Sequence, residues 1–268
     1  MKKIKKKIGF IGCGNMGEAI LAGLLRNRIV SRSQIHIAEV DAGRRGSLEK
    51  KFGVKTTDDL EKVLSRVDVV ILAVKPQAMT SLNIEGGKNK LFISILAGKT
   101  IADIKKALGV KKVIRVMPNL GAIVGESMTA IASSRGASVQ SVNIAKAIFS
   151  ACGEVVTVKE SQMDAVTAVS GSGPVYFFYL TELLEKSAIK NGLSKAQAKL
   201  LAEQTAFGAI QVLGASLDGA EALKKKVTSK KGTTEAALKT FKQKKMDIAF
   251  DQGIRAAIRR GKELSKGK

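Results

Sequence analysis

The chain has 268 residues, of which 45% are hydrophobic and 26% charged, the balance of a globular protein with one large or two modest domains. These values exclude a disordered or collagen-like chain. No apolar run reaches the roughly 18–20 residues that cross a bilayer, so we expect a soluble cytoplasmic protein without a membrane partner. Cys13 and Cys152 are the only cysteines, and their wide separation argues against a disulfide framework or a cysteine metal site.

Basic residues outnumber acidic residues by 46 to 23, which gives a net charge of +23. Such a chain attracts polyanions, but it carries no zinc-finger, RNP or KH pattern and only 4% aromatic residues. We therefore expect no specific nucleic-acid partner. A lysine-rich solvated surface explains the excess, and an anionic substrate or cofactor is equally consistent with it. The single histidine, His36, leaves little material for a histidine metal site or a Ser-His-Asp triad.

Short apolar runs alternate with helical patterns over the first 160 residues. The runs predict strands at 8–12, 35–38, 67–74, 91–96 and 113–116. Helical spacing predicts helices at 58–65 and 101–108, and Thr100 with Asp103 forms a capping pattern before the second of them. This alternation indicates an α/β fold with a parallel sheet that helices cover on both faces.

After about residue 160 the strand signals stop and helical spacing continues. Helices are predicted at 175–190, 195–213, 219–226, 233–243 and 247–264. The sequence therefore predicts an N-terminal α/β domain over 1–163 and an all-α C-terminal domain over 164–268.

A glycine motif of the GxGxxG type follows the first predicted strand and opens a predicted helix. Its residues are Gly12, Cys13, Gly14, Asn15, Met16 and Gly17. In a dinucleotide-binding turn the first glycine permits the bend, the second lets the backbone approach a pyrophosphate, and the third allows close helix packing. A glycine turn alone often does nothing more than turn the chain. The flanking strand and helix, together with a later acidic residue, favour nucleotide binding here.

That acidic residue is Glu39, at the end of the second predicted strand, where a carboxylate accepts the hydroxyls of the adenosine ribose. The alternative is a solvated charge at a strand end. Arg44 and Arg45 follow shortly and could instead pair with a 2′-phosphate. The sequence thus leaves the choice between NADPH and NADH open.

Several further blocks resemble one family over nearly the whole chain. They are Ala73-Val74-Lys75-Pro76-Gln77, Arg115-Val116-Met117-Pro118-Asn119, Asp164-Ala165-Val166-Thr167 running into Ser170-Gly171-Ser172-Gly173-Pro174, and Val227-Thr228-Ser229-Lys230-Lys231-Gly232-Thr233-Thr234. With the glycine turn, they make the chain similar to the pyrroline-5-carboxylate reductases. The serine-glycine-proline block and the final block are much more specific than the glycine turn.

The resemblance implies a Rossmann-like N-terminal domain and a helical C-terminal dimerisation domain that interleaves with a second subunit, with dimers sometimes forming larger rings. It implies an oxidoreductase that reduces 1-pyrroline-5-carboxylate to L-proline with NADPH or NADH, the last step of proline biosynthesis. It places Ala73, Val74, Lys75, Pro76 and Ala97 along the cofactor, and Glu160, Ser229, Thr233 and Thr234 at the substrate.

The chain departs from the family at three places. Lys230-Lys231 stand where the family usually has Pro-Gly, Leu120-Gly121 stand where it has Thr-Pro, and Leu60 stands where many members have Asn. The first departure changes the flexibility and charge of the substrate loop. None removes a group that hydride transfer needs, because the cofactor supplies that chemistry.

Imine reduction demands no strong protein acid, since a hydroxyl bonded to the ring nitrogen can orient it and stabilise the amine that forms. Thr234 suits this role and is the predicted catalytic residue, while N-capping of the following helix is the alternative from spacing alone. Two other functions stay open. One is a hydroxy-acid dehydrogenase of the same architecture, and the other is a non-catalytic nucleotide-sensing or polyanion-binding protein.

Overall fold

The computed structural model describes residues 3–87, 89–134 and 137–265. The described residues up to Ser172, together with residues 257–265, form one compact unit, and Gly173–Ala256 forms a second. Among the described residues no helix is both long and apolar enough to span a bilayer.

The described residues of the first unit form an eight-stranded sheet. Its strands are β1 (Ile8–Ile11), β2 (Ile35–Ala38), β3 (Lys55–Thr57), β4 (Val69–Leu72), β5 (Leu91–Ser94), β6 (Lys112–Met117), β7 (Ser127–Ser133) and β8 (Gly153–Thr157). Their spatial order is β3-β2-β1-β4-β5-β6-β7-β8. Each neighbouring pair is parallel except β6 and β7, which are antiparallel. The order reverses between β1 and β4, so a crevice opens there at the carboxyl edge of the sheet.

The five predicted strands are confirmed as β1, β2, β4, β5 and β6. β1, β2, β4 and β5 are buried along their whole length because helices cover both faces. Alternate side chains enter two cores: Ile8 and Phe10 join one, and Ile11 joins the other. The only histidine, His36, is buried in β2.

The helices of the first unit are α1 (Asn15–Arg26), α2 (Ala42–Phe52), α3 (Leu60–Leu64), α4 (Ile101–Leu108), α5 (Val139–Phe149) and α6 (Met163–Val166). The predicted helix at 58–65 is shorter in the structure, as α3. The helix at 101–108 is confirmed as α4, with the capping box of Thr100 and Asp103 in place. A π-helical turn, Thr167–Gly171, follows α6.

The second unit is entirely helical among the described residues. It contains α7 (Gly173–Lys190), α8 (Lys195–Ala215), α9 (Ala220–Lys226), α10 (Thr233–Gln243) and the start of α11 (Met246–Ser265). These elements confirm the five helices predicted for this part of the chain. α7 packs against α8, and the ring of Tyr176 on α7 meets Phe250 on α11 edge to face at 5.8 Å between centroids.

Candidate functional site

The glycine turn joins β1 to α1 at the carboxyl edge of the sheet. Gly12 has φ +73°, and its N–H donates to the carbonyl oxygen of Ala38 at 2.7 Å. A Cβ at Gly12 would lie 2.8 Å from a methyl carbon of Val74 and 3.0 Å from the carbonyl oxygen of Ala73. Glycine is therefore required here for two reasons: the backbone has a positive φ, and the residues that follow the neighbouring strand β4 approach closely.

Gly14 leaves an open space in front of the first turn of α1. It is the N-cap residue of that helix, no side chain caps the helix, and a Cβ at this position would meet no atom within 4 Å. Gly17, in contrast, lies against the residue that follows β4, since a Cβ at Gly17 would lie 3.4 Å from Cβ of Ala73. Amide groups at an uncapped helix start, with positive partial charge and open space before them, fit a diphosphate group.

Cys13 lies inside the turn as a buried, free thiol. Burial raises the pKa of this thiol to about 12, although the nearby Arg44 guanidinium favours the thiolate. A thiol with this pKa stays protonated at neutral pH and is a poor nucleophile. Cys13 therefore takes part in the site through its backbone. Asn15 and Met16, which follow Gly14, begin α1.

Glu39 follows β2 and turns its carboxylate toward the glycine turn. Its Oε2 accepts the N–H of Cys13 at 2.8 Å, and its Oε1 accepts the N–H of Asp41 at 3.2 Å. The carbonyl oxygen of Cys13 in turn accepts Nε of Arg44 at 2.8 Å. The structure thus brings the predicted ribose carboxylate and the predicted diphosphate turn into direct contact.

The other predicted cofactor residues lie at the same edge of the sheet. β1, β4 and β5 are neighbours in register, with Ile11 beside Leu72 and Leu72 beside Ser94. The residues that follow β4 are Ala73, Val74, Lys75 and Pro76, and Ala97 follows β5. The N–H of Ala73 donates to the carbonyl oxygen of Ile11 at 2.9 Å, which places this segment beside the glycine turn.

Glu160, predicted at the substrate, contacts two partners within the first unit, the start of α4 and Arg115. Its Oε1 accepts the N–H of Ile101, the first residue of α4, at 2.6 Å, and lies 3.8 Å from Nη1 of Arg115. Asp164 lies 4.0 Å from Nη2 of the same guanidinium. The Glu160 carboxylate therefore links the start of α4 to β6.

Arg115 is a further functional candidate, although its sequence motif alone does not single it out. Its side chain is 3% exposed, and its Nε and Nη2 have no hydrogen-bond partner among the residues that the structure describes. Burial lowers the pKa of the guanidinium, and the carboxylates of Glu160 and Asp164 oppose that shift. A charged residue within the apolar run Val113-Ile114-Arg115-Val116 is the sequence signal that points to it, because buried charges need partners.

Two of the family motifs contact each other in the first unit. Nδ2 of Asn119 donates to the carbonyl oxygen of Ser170 at 3.2 Å, and Oγ of Ser170 donates to the carbonyl oxygen of Met128 at 3.3 Å. A Cβ at Gly171 would lie 3.6 Å from Sδ of Met117. The small residues of this block therefore let its turn pack closely on the end of β6.

The predicted substrate residues lie in the second unit, in the turn that precedes α10. The N–H of Gly232 donates to the carbonyl oxygen of Ser229 at 3.0 Å, and Lys231 adopts a left-handed conformation with φ +60°. α10 begins at Thr233, with Gly232 as the N-cap residue and no side-chain cap. The alternative that Thr233 or Thr234 caps this helix is therefore wrong, because Gly232 holds the N-cap position and both threonines lie within the first turn.

The sheet order and the nucleotide turn define a class of protein. A parallel sheet whose order reverses at the glycine turn, an uncapped helix start behind that turn, and a carboxylate at the end of β2 are the features of a Rossmann-type dinucleotide-binding domain.

Comparisons with known proteins give the family. Residues 160–264 match the family described as pyrroline-5-carboxylate reductase dimerisation, and residues 7–98 match the family described as NADP oxidoreductase, coenzyme F420-dependent. The chain is 40% identical over 263 residues to the pyrroline-5-carboxylate reductase of Synechocystis sp., covering 97% of this chain and 98% of the relative.

Two solved structures support the same assignment. A pyrroline-5-carboxylate reductase from Coxiella burnetii has a TM-score of 0.90 at 34% identity, covering 98% of this chain and 99% of that chain. The pyrroline carboxylate reductase of Plasmodium falciparum, solved with NADP bound, has a TM-score of 0.83 at 26% identity, with the same coverage of 98% and 99%. The chain belongs to the pyrroline-5-carboxylate reductase family.

Proposed function

We propose that this chain is an oxidoreductase that reduces 1-pyrroline-5-carboxylate to L-proline with NADPH or NADH, the last step of proline biosynthesis. The observation that carries the proposal is the open, uncapped start of α1 at Gly14, in a chain that belongs to this family. We also propose a dinucleotide-binding domain over 1–163 and a helical dimerisation and substrate domain over 164–268.

In this proposal the first unit binds the cofactor. The amides that follow Gly14 hold the diphosphate, and Glu39 accepts the hydroxyls of the adenosine ribose. Residues 73–76 and Ala97 line the nicotinamide side at the carboxyl edge of the sheet. A bound reduced nicotinamide supplies the hydride, so the protein's task is to bind, orient and exclude water.

The second unit holds the substrate in this proposal. The hydroxyls of Ser229 and Thr233 and the first amides of α10 bind the carboxylate of the substrate, since those amides point outward at an uncapped helix start. Thr234 donates a hydrogen bond to the nitrogen of the neutral imine and orients it. As hydride adds to the ring carbon, the nitrogen takes up a proton that solvent supplies through the exposed Thr234 hydroxyl, and this hydrogen bond strengthens as the nitrogen becomes an amine. Glu160 is a further residue proposed to bind the substrate, and its carboxylate also accepts the N–H of Ile101 at the start of α4.

The proposed assembly is a homodimer formed through the helical domain, and in the same proposal the dimers associate into a larger ring. The match of residues 160–264 to a dimerisation family supports the dimer. We propose a cytoplasmic location, which is consistent with the two buried, free thiols of Cys13 and Cys152.

The proposal is tested by following NAD(P)H oxidation with racemic pyrroline-5-carboxylate, against a reaction without substrate and a reaction with a hydroxy acid. We expect turnover only with the imine. Turnover of the hydroxy acid alone would indicate the dehydrogenase, and nucleotide binding without any turnover would indicate a non-catalytic protein.

A pair of matched glycine variants tests where the nucleotide binds. Gly14→Val fills the open space before α1, so we expect at least about 100-fold weaker NAD(P)H binding with little change in thermal stability. Gly219→Val is the control, because Gly219 is also an extended N-cap residue with no atom within 4 Å of its Cβ position. Equal nucleotide binding by both variants would show that the diphosphate lies elsewhere.

A further inference from the structure

Acidic side chains gather around the end of β2, although the chain as a whole carries a net charge of +23. Glu39 and Asp41 stand at this end of the strand, and Oε1 of Glu39 accepts the N–H of Asp41 at 3.2 Å. Two more acidic residues bind the arginines that follow this strand end: Glu18 on α1 pairs with Arg44, and Asp58 after β3 pairs with Arg45. Glu39 and Asp41 therefore lie at the position that the proposed function gives to the adenosine ribose, and Glu18 and Asp58 lie beside it with the cations that they bind, Arg44, Lys51 and Arg45.

Arg44 and Arg45, the two candidates for binding a 2′-phosphate, each form an ion pair with one of these carboxylates. Nη2 of Arg44 lies 2.6 Å from Oε2 of Glu18, and its Nε donates to the carbonyl oxygen of Cys13. Nη2 of Arg45 lies 3.2 Å from Oδ2 of Asp58, and its Nη1 donates to the carbonyl oxygens of Glu39 and Val40. Binding a phosphate would require either guanidinium to exchange these partners.

Glu39 and Asp41 accept hydrogen bonds from the backbone and not from the guanidinium groups of Arg44 and Arg45. Within the described part of the chain neither forms an ion pair; Glu39 accepts backbone N–H groups, and Asp41 caps α2 by accepting the N–H of Arg44 at 2.7 Å. Both side chains therefore offer carboxylate oxygens, which accept hydrogen bonds from a hydroxyl, at the position proposed for the ribose.

We propose that this chain selects NADH over NADPH, and that Glu39 and Asp41 set this selectivity. The inference rests on the proposed function and names its cofactor. A free 2′-hydroxyl donates a hydrogen bond to Glu39, whereas a 2′-phosphate brings a charge of about −1.5 to −2 against two carboxylates. One of the two matching families is described as an NADP oxidoreductase. The proposed preference for NADH therefore rests on side chains of this chain and not on the family.

The selectivity is tested by binding as well as by turnover, using NADH and NADPH, which differ only in the 2′-phosphate. Isothermal titration without substrate gives the Kd of each cofactor. We expect the unmodified protein to bind NADH at least about 10-fold more tightly than NADPH. Glu39→Gln removes the charge but keeps an oxygen that can accept the N–H of Cys13, and it should shift the ratio of the two Kd values about 10-fold toward NADPH.

Two further variants complete the test. Asp41→Asn keeps a residue that caps helices well and should shift the Kd ratio in the same direction, so the test does not depend on the folding of one variant. Glu154→Gln removes one charge from an exposed position on β8, at the opposite edge of the sheet, and should leave the ratio unchanged.

The outcomes separate this inference from the proposed function. NADPH binding as tight as NADH binding in the unmodified protein would overturn the selectivity, even if pyrroline-5-carboxylate is reduced. An unchanged ratio in Glu39→Gln and Asp41→Asn would overturn the assignment of residues. Tight and selective NADH binding with no turnover of the imine would uphold the selectivity and count against the proposed reaction.

Discussion

Thr234→Ala tests the proposed catalytic residue most directly. Gly232 caps α10, and the Thr234 hydroxyl has no hydrogen-bond partner within the described structure, so its removal breaks no contact that stabilises the fold. Alanine is also the better helix former, by a few tenths of a kcal/mol to about 0.7 kcal/mol. We therefore expect unchanged or slightly raised thermal stability.

The expected effect on catalysis is much larger. If the hydroxyl binds the ring nitrogen more strongly in the transition state, its loss should lower kcat by roughly 10- to 1000-fold, or about 1.4–4 kcal/mol. Cofactor affinity should stay nearly unchanged, because the residues proposed to bind the nucleotide belong to the first unit. The measurements are kcat with saturating imine, the Kd of NADH, and the melting temperature.

Two variants sharpen the Thr234 experiment. Thr234→Ser retains the hydroxyl and should keep most of the activity. Thr240→Ala removes a threonine hydroxyl from the same helix, one that donates to the carbonyl oxygen of Ala236 at 3.1 Å, and should leave kcat unchanged. If Thr234→Ala melts several degrees lower but turns over at the parental rate, the hydroxyl is structural and the catalytic assignment is wrong.

Two further predictions concern stability, each measured by chemical denaturation. Lys231→Gly should stabilise the protein by about 0.5–1 kcal/mol, because φ +60° strains a residue that carries a side chain. Lys230 does not have a positive φ, so Lys230→Gly is the control and should destabilise the protein. Equal effects of the two variants would show that Lys231→Gly relieves no strain. Gly23→Ala should destabilise by about 1–3 kcal/mol, since its Cβ would lie 2.6 Å from Sγ of Cys152 and 2.8 Å from the carbonyl oxygen of Ala151. Gly46→Ala on α2, with open space around it, is the control and should not destabilise.

The strands that the sequence predicts are the ones with continuous apolar runs. β4, with the sequence Val-Val-Ile-Leu, is buried on both faces and therefore has no polar alternation to obscure it. β7 carries small and polar residues, β8 has exposed positions, and β3 has only three residues, so none of them gave a clear run. These strands form because an existing sheet edge offers them backbone hydrogen bonds, which a local pattern does not show.

The site divides in the same way between local and tertiary features. The glycine turn was predictable because its demands are local: a positive φ at Gly12 and open space at Gly14. The pairing of Arg44 with Glu18 joins α2 to α1, and Arg115 meets Glu160 across 45 residues of sequence, so neither followed from spacing. The N-cap of α10 was also missed, because the turn of residues 229–232 places Gly232, not a threonine, at the helix start.

The helical unit itself gives a physical reason for a partner subunit. In the single chain α7 and α8 bury only Gly173, Ala198 and Ala202, while Phe177, Phe178 and Phe207 remain 55%, 58% and 60% exposed. Burying a phenylalanine is worth about 1.5–3 kcal/mol, so leaving three of them in water forgoes a large part of the stability expected of a small domain. In the proposed homodimer a second copy covers these side chains. Because that burial exists only between two chains, folding of the helical domain and association of the subunits are coupled.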